Sequence, residues 1–238
     1  MPEAAHTHEP DAAALAARFG HLAGEALLRP MLDEFRGRIC LVSSFGAEAA
    51  VLLHMVAGLD RDTPVLFLDT QKHFPETLAY RDTLVAQLGL NDVRSLAPDA
   101  DAVKARDPDG TLWSRNPDAC CALRKVVPLN RALSGFSAWI SGRKRFHGGE
   151  RRALPVIEPD GPRVKLNPLA TWSSEQIGCE FETRGLPPHP LTAQGYRSIG
   201  CAPCTVPGAP AADPRAGRWA GLDKTECGIH ESWMSSGL

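Results

Sequence analysis

A chain of 238 residues with a formal charge of −2 and 23% charged side chains lies near the top of what one domain accommodates, and it is long enough to bury roughly 70% or more of its unfolded surface. That balance leaves no broad basic field for nucleic acid or an anionic membrane, so a small-molecule site is expected. The start MPEAAHTHEP has neither the basic cluster nor the apolar run of a secretory signal, and no apolar stretch reaches the about 18 residues of a membrane span. A soluble, cytoplasmic protein is expected, and seven cysteines in such a chain point to metal or thiol chemistry rather than disulfides.

In chain order, apolar residues from Asp11 to Phe35 recur at helical spacing, which predicts one or two packing helices within residues 1–36. Arg38 to Val42 then reads as a strand that runs through Ser43-Ser44-Phe45-Gly46 into a helix over Ala49 to Val56. Pro64 to Leu68 is a second strand, Pro75 to Leu88 a helix, and Val93 to Leu96 a third strand. This alternation predicts an α/β fold with a mostly parallel sheet flanked by helices. Helical patterns follow at Ala100 to Arg106 and Ala119 to Leu133, with strands at Ala138 to Ser141, Leu154 to Ile157 and Val164 to Leu166, and a helix at Ser173 to Thr183. Residues 186–238 form an irregular, cysteine-bearing C-terminal arm, because Pro187, Pro188, Pro190, Pro203, Pro207, Pro210 and Pro214 forbid long regular structure. The arm has to fold back over something, and the whole is read as a single domain.

Three constellations carry chemistry. The Ser43-Ser44-Phe45-Gly46 turn opens a helix, so its hydroxyls and N–H groups suit a phosphate or ribose, although an ordinary N-cap reads the same way. Cys120-Cys121 and Cys201-Ala202-Pro203-Cys204 are two thiol pairs far apart in the chain, able to converge on zinc or an iron-sulfur cluster. The diverging side chains of an adjacent pair suit the larger cluster better. Cys227, in Glu226-Cys227-Gly228-Ile229-His230, stands apart with Lys224, His230, Arg215 and Arg218 near it in sequence, the setting of a reactive thiolate. Cys40 and Cys179 are read as packing residues.

These motifs resemble those of the phosphoadenylyl-sulfate and adenylyl-sulfate reductases of sulfate assimilation, which share the adenine nucleotide alpha-hydrolase fold. The resemblance runs from about Ile39 to His230 and rests on Cys-Cys followed by Arg124-Lys125, on Cys-x-x-Cys, on Asp213 to Trp219 and on the Glu-Cys-Gly-Ile-His ending. It implies a 4Fe-4S cluster on Cys120, Cys121, Cys201 and Cys204, with Cys227 as the nucleophile. For substrate binding it implies Ser43, Ser44, Phe45 and Gly46, Leu68 at the adenine, and Gly142, Arg143 and Arg145. It adds Lys125 between cluster and substrate, Arg215 and Arg218 on the phosphosulfate, His230, and an arginine following the Gly142 element, which the Arg151-Arg152 pair could supply and which is assigned to Arg152, although such a charge run also reads as a solvated face. Gln71, Lys144 and His147 depart from the family pattern, where glycine, arginine and glutamine are common.

The reaction implied is reduction of adenylyl sulfate to sulfite and AMP through a Cys227 S-sulfonate, with thioredoxin as partner and oligomeric state left open. Phosphoadenylyl sulfate is the alternative substrate, disfavoured because relatives that use it usually lack the cysteine pairs. An ATP-dependent tRNA-thiolating enzyme would show Ser-Gly-Gly-x-Asp-Ser where this chain has Ser-Ser-Phe-Gly-Ala-Glu.

Overall fold

The computed structural model describes residues 9–208 and 213–231. Pro210 and most of the N-terminal stretch read for a signal lie outside the described residues. Six strands, β1 (Ile39–Ser43), β2 (Val65–Leu68), β3 (Val93–Leu96), β4 (Ala138–Ile140), β5 (Ile157–Asp160) and β6 (Arg163–Leu166), make one sheet in the order β3-β2-β1-β4-β6-β5. All neighbours are parallel except β5 and β6. The central strands are short apolar runs buried on both faces, as a parallel sheet covered on both sides requires.

Around the sheet lie α1 (Ala12–Phe19), α2 (Gly24–Glu34), α3 (Ala49–Leu59), α4 (Pro75–Leu88), α5 (Ala100–Arg106), α6 (Leu112–Arg115), α7 (Pro117–Cys121), α8 (Val127–Leu133) and α9 (Ser174–Thr183). Local chemistry sets their ends. Pro75 opens α4 and Gly89, at φ 63°, closes it, which is the asymmetry expected of helix termini. Ser173 and Gln176 cap α9 reciprocally. The core joins Leu27, Leu28 and Met31 of α2, Leu53 and Val56 of α3, and Leu41, Val65 and Ile140 of the sheet.

Two predicted elements differ. The helix read over Ala119 to Leu133 is interrupted by a π-turn at Ala122–Val126. Pro128 follows in the next turn; it has no N–H and its ring clashes with the carbonyl four residues back, so the wider turn accommodates it. The strand read at Leu154 to Ile157 starts only at Ile157, because Gly149–Ala153 is a tight 3-10 turn and Pro155 cannot donate to a ladder.

From β1 the chain steps outward to β2 and β3, then returns to lay β4 on β1's other side. The loops after β1 and β4 diverge, opening a crevice at their carboxyl ends, where such sheets bind ligands. The arm closes over this crevice. Thr205 bridges Arg218 antiparallel, Val206 N donates to Gly217 O at 2.9 Å and Trp219 N to Cys204 O at 3.0 Å. A Cβ on Gly217 would lie 2.1 Å from the Val206 carbonyl, so the bridge needs glycine there.

Candidate active site

The crevice brings together the ends of β1, β2 and β4 with the arm. Ser43, Ser44 and Gly46 line it from the first turn, Leu68 from β2, Gly142 and Arg143 after β4, and Lys125 from the π-turn. The arm contributes Arg215, Arg218, Cys227 and His230. Residues of the expected set that take other positions are Phe45, Arg145 and Arg152. Phe45, at φ 47°, is fully buried, with its ring edge-on to Phe67 at 5.6 Å; it anchors the turn from behind. Arg145 turns away to the Leu154 carbonyl, which its Nε meets at 2.9 Å. Arg152 is exposed, while Arg151 enters the crevice instead.

Sequence reasoning missed three lining residues that matter, Glu48, His73 and Glu226, and of the Arg151-Arg152 pair it chose the outward one. Glu48 follows the serine turn directly, and Lys144 Nζ and His147 Nε2 reach its carboxylate at 2.8 and 3.0 Å. Two of the noted departures from the family pattern therefore meet on one carboxylate. Burial raises the Glu48 pKa, but Lys144 and His147 outweigh it and hold the group down to about 2. Burial holds His147 below its ordinary value despite Glu48.

Arg143 pairs with Glu158, and Glu226 takes Arg151 at 2.5 and 2.8 Å and Arg215 at 3.4 Å. Burial, then Arg151, pull Arg215 down to about 10, so it remains charged at neutral pH. Burial and the surrounding cations Arg143 and Lys165 push His230 well down, leaving a neutral ring. That ring stacks on Trp139 at 5.6 Å, and the His230 carbonyl accepts from Lys165 Nζ at 3.2 Å. His230 thus seats the end of the Cys227 segment against β4 and β6.

Five buried side-chain nitrogens have no partner among the described residues, His73 Nδ1, Arg143 Nε, Arg218 Nε, Trp219 Nε1 and His230 Nδ1. All five belong to residues lining this crevice. Such groups are rare in folded proteins, and their gathering at one place is what a bound polar ligand would satisfy.

Beside the crevice, Cys120, Cys121, Cys201 and Cys204 line one small cleft with Arg124 and Lys125. Lys125 and Cys201 form a wall shared by both spaces. Arg124 is buried against Asp107 at 2.6 Å and Thr70 O at 3.0 Å, which ties the cysteine helix to the end of β2. Burial raises the thiols of Cys120, Cys204 and Cys121, the last to about 11. Burial opposes the Lys125 charge, yet the sulfurs of Cys201, Cys227 and Cys121 outweigh it and hold its pKa above the ordinary lysine value. Among the described residues, no three His, Cys, Asp or Glu side chains gather tightly enough for a single metal ion. Soft sulfur donors spaced around one cleft fit a polynuclear group better than one ion.

A crevice at the switch point of a mostly parallel sheet, lined by a serine turn and cations, puts the chain in the adenine nucleotide alpha-hydrolase-like class. Residues 38–207 match the phosphoadenosine phosphosulfate reductase domain. The chain is 50% identical over 224 residues to a protein of Chelativorans sp. named adenosine 5'-phosphosulfate reductase, covering 93% of this chain and 91% of that one. It is 42% identical over 221 residues to a phosphoadenosine 5'-phosphosulfate reductase of Gloeobacter violaceus, covering 91% and 92%. The crystal structure of phosphoadenylyl-sulfate reductase from Candida auris superposes with a TM-score of 0.69 at 27% identity, covering 82% of this chain and 96% of that one. Candida glabrata FMN adenylyltransferase, at TM-score 0.57 and 16% identity, covering 84% and 68%, shares the fold alone. The chain belongs to the phosphoadenosine phosphosulfate reductase family and is a reductase of sulfate assimilation. Among the described residues no helix is long and apolar enough to cross a membrane.

Proposed function

We propose that the protein reduces adenylyl sulfate to sulfite and AMP in the cytoplasm, with Cys227 accepting the sulfonyl group and thioredoxin or a similar dithiol releasing it. The observation that carries this reading is the presence of Cys227 in one crevice with Lys125, Arg143, Arg151, Arg215 and Arg218. The substrate is an anhydride whose sulfur is electrophilic but surrounded by anionic oxygens, which repel a thiolate. Guanidinium forks match such oxygens in pairs and remove the repulsion. The Cys227 thiolate then attacks sulfur, the S–O anhydride bond breaks and AMP leaves with its electrons. A donor thiolate next attacks the Cys227 sulfur, sulfite departs with the S–S bonding pair, and the donor's second thiol resolves the mixed disulfide.

Ser43, Ser44 and Gly46 would hold the nucleotide at the turn, with Leu68 at the base and His230 securing the arm. Cys120, Cys121, Cys201 and Cys204 would hold a 4Fe-4S cluster, which when bound supplies rigidity and fixed charge beside Lys125. The donor dithiol already supplies both electrons, so none is required from it. The test is mass spectrometry after incubation with adenylyl sulfate and no reductant. One sulfonate on Cys227, absent from Cys227→Ser, is the expected result; no adduct would point to direct attack by the external thiol. The name of the Gloeobacter relative keeps phosphoadenylyl sulfate as the second reading, and sulfite assays with each nucleotide separate the two.

A further inference from the structure

Three carboxylates balance the cations of the crevice, and they differ in how they are held. Glu48 is the residue before the first turn of α3, and Glu158 stands on β5, where its Oε1 also takes Asn167 Nδ2 at 2.9 Å and Lys165 Nζ at 3.5 Å. Both stand on or against regular elements packed in the core. Glu226 does not: among the described residues no backbone–backbone hydrogen bond involves Thr225, Glu226 or Cys227. Side chains alone hold this stretch, through the Arg151 fork on both Glu226 oxygens at 2.5 and 2.8 Å and through Arg215 Nη2 on Glu226 Oε2 at 3.4 Å and on Thr225 O at 2.7 Å.

A guanidinium fork that fits a carboxylate fits a sulfate or phosphate equally well. We propose that Glu226 is an internal anion that competes with the substrate for Arg151 and Arg215, so that binding of the phosphosulfate releases the residue next to Cys227. This rests on the substrate reading above and adds a step to it. Without the nucleotide, Glu226 spares two largely buried guanidinium groups the cost of standing uncompensated, and it fixes Cys227 against the crevice wall. When the anhydride arrives, its oxygens take the arginines and the Glu226 carboxylate swings off them. The backbone at Cys227, having no ladder of its own, is then free to turn its sulfur toward the electrophile. Glu226 is therefore a positioning residue, and its exchange makes affinity for the anionic part of the ligand smaller than the arginines alone would give.

The competition has a signature that a merely structural contact lacks, because removing Glu226's charge improves binding. In a Cys227→Ser background, which prevents turnover, calorimetry with adenylyl sulfate should show about tenfold tighter binding on adding Glu226→Gln, with adenosine binding unchanged. Glu226→Asp keeps the charge on a shorter stem and should fall between. Equal or weaker affinity in both variants, with their melting temperatures near that of the parent, overturns the proposal while leaving the substrate reading intact. A Cys227→Ser protein that binds no adenylyl sulfate at all overturns the substrate reading and this inference with it.

Discussion

Arg218 is the arginine of the crevice whose position can be tested without changing its own side chain. It makes no ion pair among the described residues, lies over the Trp219 ring at 4.5 Å, and presents its guanidinium across Gly200. A Cβ at Gly200 would lie 2.2 Å from Arg218 Nη2, 2.4 Å from Cζ and 2.9 Å from Nη1. Carbon contacts settle near about 3.5 Å, so the guanidinium has to retreat by about 1 Å or more. Gly200 is not among the positive-φ residues, so alanine fits its backbone and the fold should survive. If Arg218 grips the phosphosulfate, Gly200→Ala removes a charge-assisted contact of about 1.5–3 kcal/mol, roughly ten- to a hundred-fold in Kd. Calorimetry with adenylyl sulfate and adenosine measures this, and only the former should weaken. Arg218→Ala should lose a similar amount, and the double variant should lose no more than Arg218→Ala alone, since both act on one side chain. Parent-like affinity in Gly200→Ala, or losses that add, would refute the assignment of Arg218 to the substrate.

Other outcomes follow from the same geometry. Replacing any of Cys120, Cys121, Cys201 or Cys204 with serine should lose iron and most turnover; full iron with three cysteines would refute four-thiolate ligation. Gln71 stands at φ 58°, and its side chain gives Arg124 only a long contact of 3.4 Å. Gln71→Gly should therefore stabilise the fold by about 1 kcal/mol in a thermal melt, and a lower melting temperature would show that the Arg124 contact outweighs the strain. His189 is fully buried between Thr77 Oγ1 at 3.1 Å and Leu191 N at 3.1 Å, and burial lowers its pKa from 6.5 to about 4. The unfolded chain then binds the proton more readily than the native one, so this contribution is complete above about pH 6.5 and is lost as pH falls toward 4. Melting temperatures across that window should fall in the parent and fall less steeply in His189→Gln.

The sheet was legible because its strands are short apolar runs between turn residues, and the crevice because the serine turn marks the end of β1. The arm's contacts were not, since they are set by which side of a short turn a residue faces. Arg151 and Arg152 are neighbours in a 3-10 turn, and sequence offers no period over which to tell the inward one from the outward one. Arg145 has the same difficulty, settled by a Leu154 carbonyl nine residues on. Lys144 and His147 could have been paired with Glu48, because two unusual residues in one loop invite a search for a shared partner, but the loop's approach to α3 is a tertiary fact. The π-turn was missed because helical periodicity survives on both sides of it, although Pro128 inside the pattern was a signal.

The irregular composition of the arm fits the two encounters that the proposed cycle asks of Cys227. A nucleophile on a helix or strand of the sheet would be held by a backbone ladder, and presenting it first to a nucleotide and then to a donor protein would break several hydrogen bonds together. Among the described residues Thr225, Glu226 and Cys227 have no such ladder. What holds Thr225 to Cys227 is side chains, Arg151 and Arg215 on one side and Lys224 on Asp118 on the other, with His230 stacked on Trp139 as the terminal anchor. These are single side-chain contacts, and the largely buried pairs among them can be exchanged one at a time for an incoming anion without leaving a charge unpaired. The seat of the arm is therefore defined enough to place the sulfur in the crevice and exchangeable enough to be left when the sulfonate must meet a second thiol. On this argument, substitutions that strengthen the seat without touching the arginines of the crevice should preserve the first transfer and slow sulfite release, which single-turnover and steady-state rates would separate.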